Sequence, residues 1–248
     1  MRCSSLLSRW RPGRRSSAPP ANSPDPGPRR TRTSTRRLSA PAVLGLGFAA
    51  GAVPFSGLAA RLTAGVDLRR VGTGTVSGTG LYQASGFGPL AVAGSLDVAK
   101  GAVGPLLAGR RRPFLAALAA GAAVAGHNWS PLLGGAGGRG ISPALGATLV
   151  VAPEGTVVLG SALGVGRLAK QTGVIVLVGL ALLFPVLWRR RRWQGLVLAL
   201  SLTLPMVAKR LTGNRPAPPR PDRSRVLLWR LLFDSDPAPA EEAGPGKQ

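Results

Sequence analysis

From Pro41 to about residue 208 the chain repeats one pattern, an apolar stretch of roughly twenty residues followed by a short basic cluster. The stretches lie near 42–62, 86–108, 114–133, 143–166, 172–188 and 195–208. A helix of about twenty residues crosses ~30 Å of hydrocarbon, so the pattern predicts an all-α fold, a multi-pass transmembrane helical bundle of five to seven spanning helices. The range is wide because the last two stretches are short and because Asp97, Lys100 and Glu154 fall inside others. Arginine clusters at 61–70, 110–112, 139, 167–170, 189–192 and 209–210 separate the stretches. With nearly every loop basic, the excess of Lys and Arg in cytoplasmic loops gives no orientation. Small residues at 49–52 and 120–123 permit close helix approach in lipid.

Outside this body, 41–213, the character changes. Residues 1–40 hold ten arginines and one aspartate among Ser and Pro, and are expected to form a disordered basic arm. A run long enough for a signal-peptide core begins only near Ala40, which makes a cleaved leader a poor match. Residues 214–248 form a Pro-rich polar tail, interrupted by a short apolar run at 226–233 suited to a membrane surface. In total 45% of the 248 residues are hydrophobic and 17% charged, with a net charge of +23. A soluble domain carries nearer a quarter charged residues. The basic residues are interleaved with spanning stretches and no aromatic platform accompanies them, so no nucleic-acid partner is expected.

The residue inventory narrows the chemistry. Cys3 is the sole cysteine and His127 the sole histidine, which removes internal disulfides and the common zinc sites. The body offers three carboxylates, Asp67, Asp97 and Glu154. No metal or cofactor is expected, and the chemistry must rest on cations, hydroxyls and backbone amides.

Three constellations have that composition. In Asp67 to Gly80, two arginines precede four glycines and several hydroxyl residues, a combination that can cradle an anion or form a flexible polar loop. Asp97 and Lys100 lie three apart inside an apolar stretch and share a helix face, either as an ion pair that fixes packing or as a functional pair at membrane depth. The chain uses 28 arginines and four lysines, so a lysine at position 100 points to a need for a compact ammonium. The third constellation runs from Gly126-His127 to Arg139-Gly140, with glycines flanking the arginine, and reads as a second anion loop or as a plain interhelical loop.

Taken in order, these residues resemble the acyl-phosphate-dependent glycerol-3-phosphate acyltransferases of bacteria, the PlsY family. Gly51-Ala-Val-Pro54 is similar to the family's opening motif, Asp67-Leu-Arg69 with Gly72-Thr-Gly74 to its first motif, and Asp97-Val-Ala-Lys100-Gly101 to its second. Gly126-His127 and Gly137-Gly-Arg-Gly140 fall at the spacing of the third. The resemblance covers about 45–213 and implies transfer of a fatty acyl group from acyl phosphate to the 1-hydroxyl of glycerol 3-phosphate. Lysophosphatidate and phosphate would be the products, in phospholipid synthesis. It implies Lys100 and Thr73 as catalytic residues. Arg69, Gly72, Gly74, Thr75, Thr79, Asp97, His127, Gly137, Gly138, Arg139 and Gly140 are implied to bind substrate. A monomer in the bacterial plasma membrane, with active-site loops facing the cytoplasm, is expected.

The chain departs from the family at several of these positions. Thr73 stands for serine, Arg139 for lysine, Thr75 and Gly80 for asparagines, and Gln83 for an arginine. A histidine and an asparagine expected ahead of Arg210-Leu-Thr-Gly213 are missing, and Arg70 or Lys209 are candidates to replace them. The alternative reading is a non-catalytic membrane relative that binds phosphorylated lipid precursors.

Overall fold

The computed structural model describes residues 38–72, 74–214 and 223–233. Thr73, the expected basic arm up to residue 37, and most of the tail after Asn214 lie outside the described residues. Nine α-helices and no strand occur among the described residues, as the apolar pattern predicts. They are α1 (Ala40–Ala52), α2 (Phe55–Ala64), α3 (Gly78–Ser85), α4 (Phe87–Ala108), α5 (Pro113–Asn128), α6 (Ile141–Val151), α7 (Pro153–Leu168), α8 (Thr172–Thr212) and α9 (Arg223–Phe233). Three segments are long and apolar enough to cross a membrane, Ala40–Ala64, Phe87–Ala108 and Thr172–Thr212.

The helix breaks correct the expected stretches. The first is split at Val53–Pro54, because a proline lacks the N–H that would continue α1. The stretch expected at 114–133 ends as α5 at Asn128, followed by a 3-10 turn at Pro131–Leu133. That expected at 143–166 is two helices, parted where Ala152 turns extended (φ −154°, ψ 83°) ahead of Pro153. Conversely, 172–188 and 195–208 fall in one helical run with a non-helical residue, Arg192 (φ 52°, ψ −129°). Gly195 lies against the carbonyl of Leu187, whereas eight residues of straight helix would separate them by about 12 Å. The chain therefore doubles back at Arg192, where the Trp188 and Trp193 rings meet edge to face at 5.1 Å.

Packing is inside-out relative to a water-soluble bundle. The interior is built largely from small residues, among them Ala117, Ala120, Ala144 and Ala147, while Leu46, Leu106, Leu149, Val157 and Leu182 project outward. A bundle whose helices are apolar all round and carry their bulk outside suits hydrocarbon as solvent. Glycines set the helix separations. A Cβ at Gly51 or Gly126 would run into α5 or α1 backbone respectively, and one at Gly101 or Gly146 would do so between α4 and α6. Backbones in such direct contact place α4 at a fixed depth between α1 and α6. That fixes the position of Asp97 and Lys100.

The apolar run at 226–233 is part of α9, which packs on α8 rather than standing apart. Gly173 abuts the Leu232–Phe233 backbone, and the buried Arg210 side chain donates to the carbonyls of Gly173 (2.7 Å) and Leu231 (3.2 Å).

Candidate active site

The site begins at the break between α1 and α2. In a continuous helix the carbonyl of Val53 would accept from the amide of Gly57, but the break at Pro54 releases it. Lys100 Nζ, projecting from α4, donates to that oxygen at 2.5 Å. The same break exposes the carbonyl of Ala52, which accepts from Ser130 Oγ at 2.6 Å. Two backbone oxygens freed by one proline thus seat side chains from two other segments.

Lys100 pairs with Asp97 across one helical turn, Nζ to Oδ1 at 2.7 Å, and both side chains are 3% exposed. Ser56 Oγ, at the start of α2, donates to Asp97 Oδ2 at 2.5 Å. The buried carboxylate therefore has a partner on each oxygen. An ammonium has three N–H donors, and the two partners described leave one to meet a ligand.

A small pocket opens at this point, lined by Pro54, Ser56, Asp97, Lys100, His127, Ser130, Gly137 and Gly138 among others. His127 reaches it from the last turn of α5. Gly137 and Gly138 line it beside His127, and only glycine fits there. A Cβ on Gly137 would overlap the His127 and Asn128 carbonyls, and one on Gly138 would overlap His127 Nε2. The Gly138 amide donates to the His127 carbonyl at 3.1 Å.

Of the expected site residues, the fold brings together Asp97, Lys100, His127, Gly137 and Gly138. The other expected residues that are described are not part of this lining. Arg69 turns back on Asp67, with Nη2 to Oδ2 at 2.7 Å, and Arg61 reaches the same oxygen at 3.0 Å. These hydrogen bonds, that from Arg69 first, hold the Asp67 carboxyl well below the usual carboxylate range. The Gly74 amide closes a turn on the Val71 carbonyl (3.0 Å), and Gly72, like Gly74, has the positive φ that such turns require. Thr75 is buried behind them. The segment expected as a loop as far as Gly80 is helical from Gly78, because Ser77 Oγ caps the Gly80 amide; Thr79 consequently sits in the first turn of α3.

Arg139 Nη1 donates to the Lys209 carbonyl at 3.1 Å, and Gly140 (φ 82°) caps α6 against Val124, Asn128 and Met206. Lys209 is buried, its Nζ 5.5 Å from the centre of the Trp129 ring and 3.3 Å from the Gly135 carbonyl, and it is not among the residues that line the pocket. Arg70 is exposed. Sequence reading missed Ser56, Ser130 and Asn214. Ser56 and Ser130 differ from neighbouring serines only in what the fold brings beside them. Asn214, one of three asparagines in the sequence, directly follows Arg210-Leu-Thr-Gly213 and joins the two glycine loops, with Nδ2 2.9 Å from the carbonyls of both Gly74 and Gly137.

The profile of the glycerol-3-phosphate acyltransferase family matches residues 42–214. The chain is 36% identical over 152 residues to the glycerol-3-phosphate acyltransferase of Synechococcus sp. (strain CC9902), covering 59% of this chain and 76% of that one. It is 30% identical over 218 residues to glycerol-3-phosphate acyltransferase 5 of Dehalococcoides mccartyi (strain ATCC BAA-2266 / KCTC 15142 / 195), covering 79% and 94%. Among solved structures, the fold is similar to PlsY (YgiH), an integral membrane glycerol 3-phosphate acyltransferase, in its glycerol 3-phosphate form. The TM-score is 0.65 at 23% identity, covering 80% of this chain and 94% of that one. The lysophosphatidic acid form aligns with a TM-score of 0.63 at 22% identity, over 78% and 94%.

Proposed function

The chain belongs to the glycerol-3-phosphate acyltransferase family, and on that premise we propose that it transfers a fatty acyl group from acyl phosphate to the 1-hydroxyl of glycerol 3-phosphate. The products are lysophosphatidate and inorganic phosphate, a step of phospholipid synthesis. The hydroxyl oxygen bonds to the acyl carbon, the bond from that carbon to the phosphate oxygen breaks, and the hydroxyl proton leaves with the phosphate.

The observation that carries this reading is Lys100. Its ammonium is buried, oriented by Asp97 and the Val53 carbonyl, and set at the edge of a pocket with an N–H left to donate. A fixed cation in a water-poor pocket stabilises charge developing on a phosphoryl oxygen without reorganising. Positioning supplies the rest, because acyl phosphate already carries a good leaving group. Thr73 would add a hydroxyl donor from the first glycine segment, and the remaining residues of both segments would shape the approach of the two phosphates.

The setting fits a multi-pass protein of the bacterial plasma membrane, with the glycine segments facing the cytoplasm. Five to seven crossings are reached when the long segment of α8 is counted as two arms and the shorter α5, α6 and α7 are added to the other two long segments. The protein acts as a monomer. Its partners are the two phosphorylated substrates and membrane lipid.

Purified protein in lipid, given palmitoyl phosphate with and without glycerol 3-phosphate, tests the reading. Release of phosphate and lysophosphatidate that needs glycerol 3-phosphate and disappears in Lys100→Ala is the expected result. Saturable binding of either substrate without product would instead make the protein a binder.

A further inference from the structure

Two glycine segments, distant in the chain, meet beside the pocket, and a third segment holds them together. The Val76 amide donates to the Gly137 carbonyl at 3.1 Å, the direct link between the two. Asn214 then spans both. Its Nδ2 donates to the carbonyls of Gly74 (2.9 Å) and Gly137 (2.9 Å), while Oδ1 accepts from the Gly137 amide at 3.3 Å. A carboxamide offers two N–H donors beside one acceptor, and all three are engaged here. No other side chain of this length carries that set. An aspartate would place a carboxylate against two carbonyls, and an apolar residue would take from the Gly74 carbonyl and the Gly137 amide the partners described here, leaving the Gly137 carbonyl only its bond from Val76.

The placement of Asn214 is itself fixed from behind. Gly213 leaves α8 with φ 62°, and Arg230 of α9 packs its guanidinium against Gly213 and donates to the Thr212 carbonyl at 3.2 Å. On the pocket side, Gly137 and Gly138 already touch His127 and cannot move inward. Asn214 closes the outward direction.

We infer that Asn214 is a positioning residue of the substrate pocket, clamping the Gly74 and Gly137 segments so that Gly137 and Gly138 are held in place in the pocket they share with Lys100, for a phosphorylated substrate. The clamp rests on geometry alone; its effect on turnover rests on the acyltransferase reading above. Through the same turn, α9 supports the site without touching it.

The test uses the full chain in lipid nanodiscs, as wild type, Asn214→Ala, the nearly isosteric Asn214→Asp, and Asn214→Gln, which carries the same group on a longer stem. Hydrogen exchange over 72–80 and 134–141 is measured beside the kinetics with palmitoyl phosphate and glycerol 3-phosphate. Exchange should rise in both segments together in Asn214→Ala and Asn214→Asp. The KM for glycerol 3-phosphate should rise about tenfold with kcat changed less than about threefold, the loss of one to two net hydrogen bonds, and Asn214→Gln should recover part of it. Unchanged exchange in Asn214→Asp overturns the clamp. Raised exchange with unchanged KM in an active protein overturns its positioning role. A wild type without turnover would sink the acyltransferase reading and with it the positioning role, while the exchange data would still decide whether the clamp exists.

Discussion

At Asp67 and at Asp97 the chain pairs an aspartate with a basic residue two or three positions on, and the surroundings give the pairs different work. Asp67 meets Arg69 and Arg61 on a surface turn, with side chains 21%, 37% and 47% exposed. Asp97 meets Lys100 inside the bundle at 3% exposure. In water such a contact is screened and contributes ~0–1 kcal/mol, whereas removing one partner of a buried pair costs about 3–5 kcal/mol. The exposed pair fastens a turn. The buried pair holds an ammonium at a pocket.

Replacing Lys100 tests that contrast most severely. Lys100→Ala should lower kcat by about 10²–10³-fold, the loss of one preorganised donor, in protein that still extracts and migrates as folded. Asp97→Asn keeps the shape and the contact with Ser56 but leaves the ammonium without its counter-charge. A fall in kcat/KM of about 10–100-fold, with a lower melting temperature in detergent, is expected because the charge is buried. Equal damage from Asp67→Asn would erase the distinction between the pairs. Gly138→Ala should cost roughly tenfold in kcat/KM, since the added methyl must displace His127 from the pocket wall.

Asp67→Asn should change turnover by no more than a few-fold, in keeping with an exposed pair. Its signature is in pH. The folded carboxyl is held below its unfolded value of ~3.9, so the stability it contributes is present above that pH and lost only as the medium becomes more acidic. Thermal melting followed from pH 8 down to 3 should therefore show a constant contribution from Asp67 down to about pH 4 and a decline below it, and the Asp67→Asn variant should lack that acid-side decline.

The membrane class was legible because apolar stretches and arginine clusters report local composition, which needs no tertiary knowledge. The breaks were less so. Pro54 and Pro153 fall at helix breaks, while Pro105, Pro185 and Pro205 lie within helices, so a proline alone does not mark where a helix ends. Within the site, Asp97 and Lys100 could be read from spacing, and His127, Gly137 and Gly138 from resemblance. Arg69 and Arg139 could be read as anion contacts by charge, and the partners described for them, Asp67 and the Lys209 carbonyl, depend on the fold. Asn214 carried no signal in the sequence beyond its rarity, because its partners lie far away along the chain.

The break at Pro54 also bears on how this site tolerates change over generations. Two of its contacts, those received by Lys100 and Ser130, are made by peptide oxygens that no codon specifies. Position 52 is already alanine and an alanine at 53 would keep its carbonyl, so an alanine scan would register neither acceptor. Selection acts on those oxygens only through the proline that turns them out of the helix.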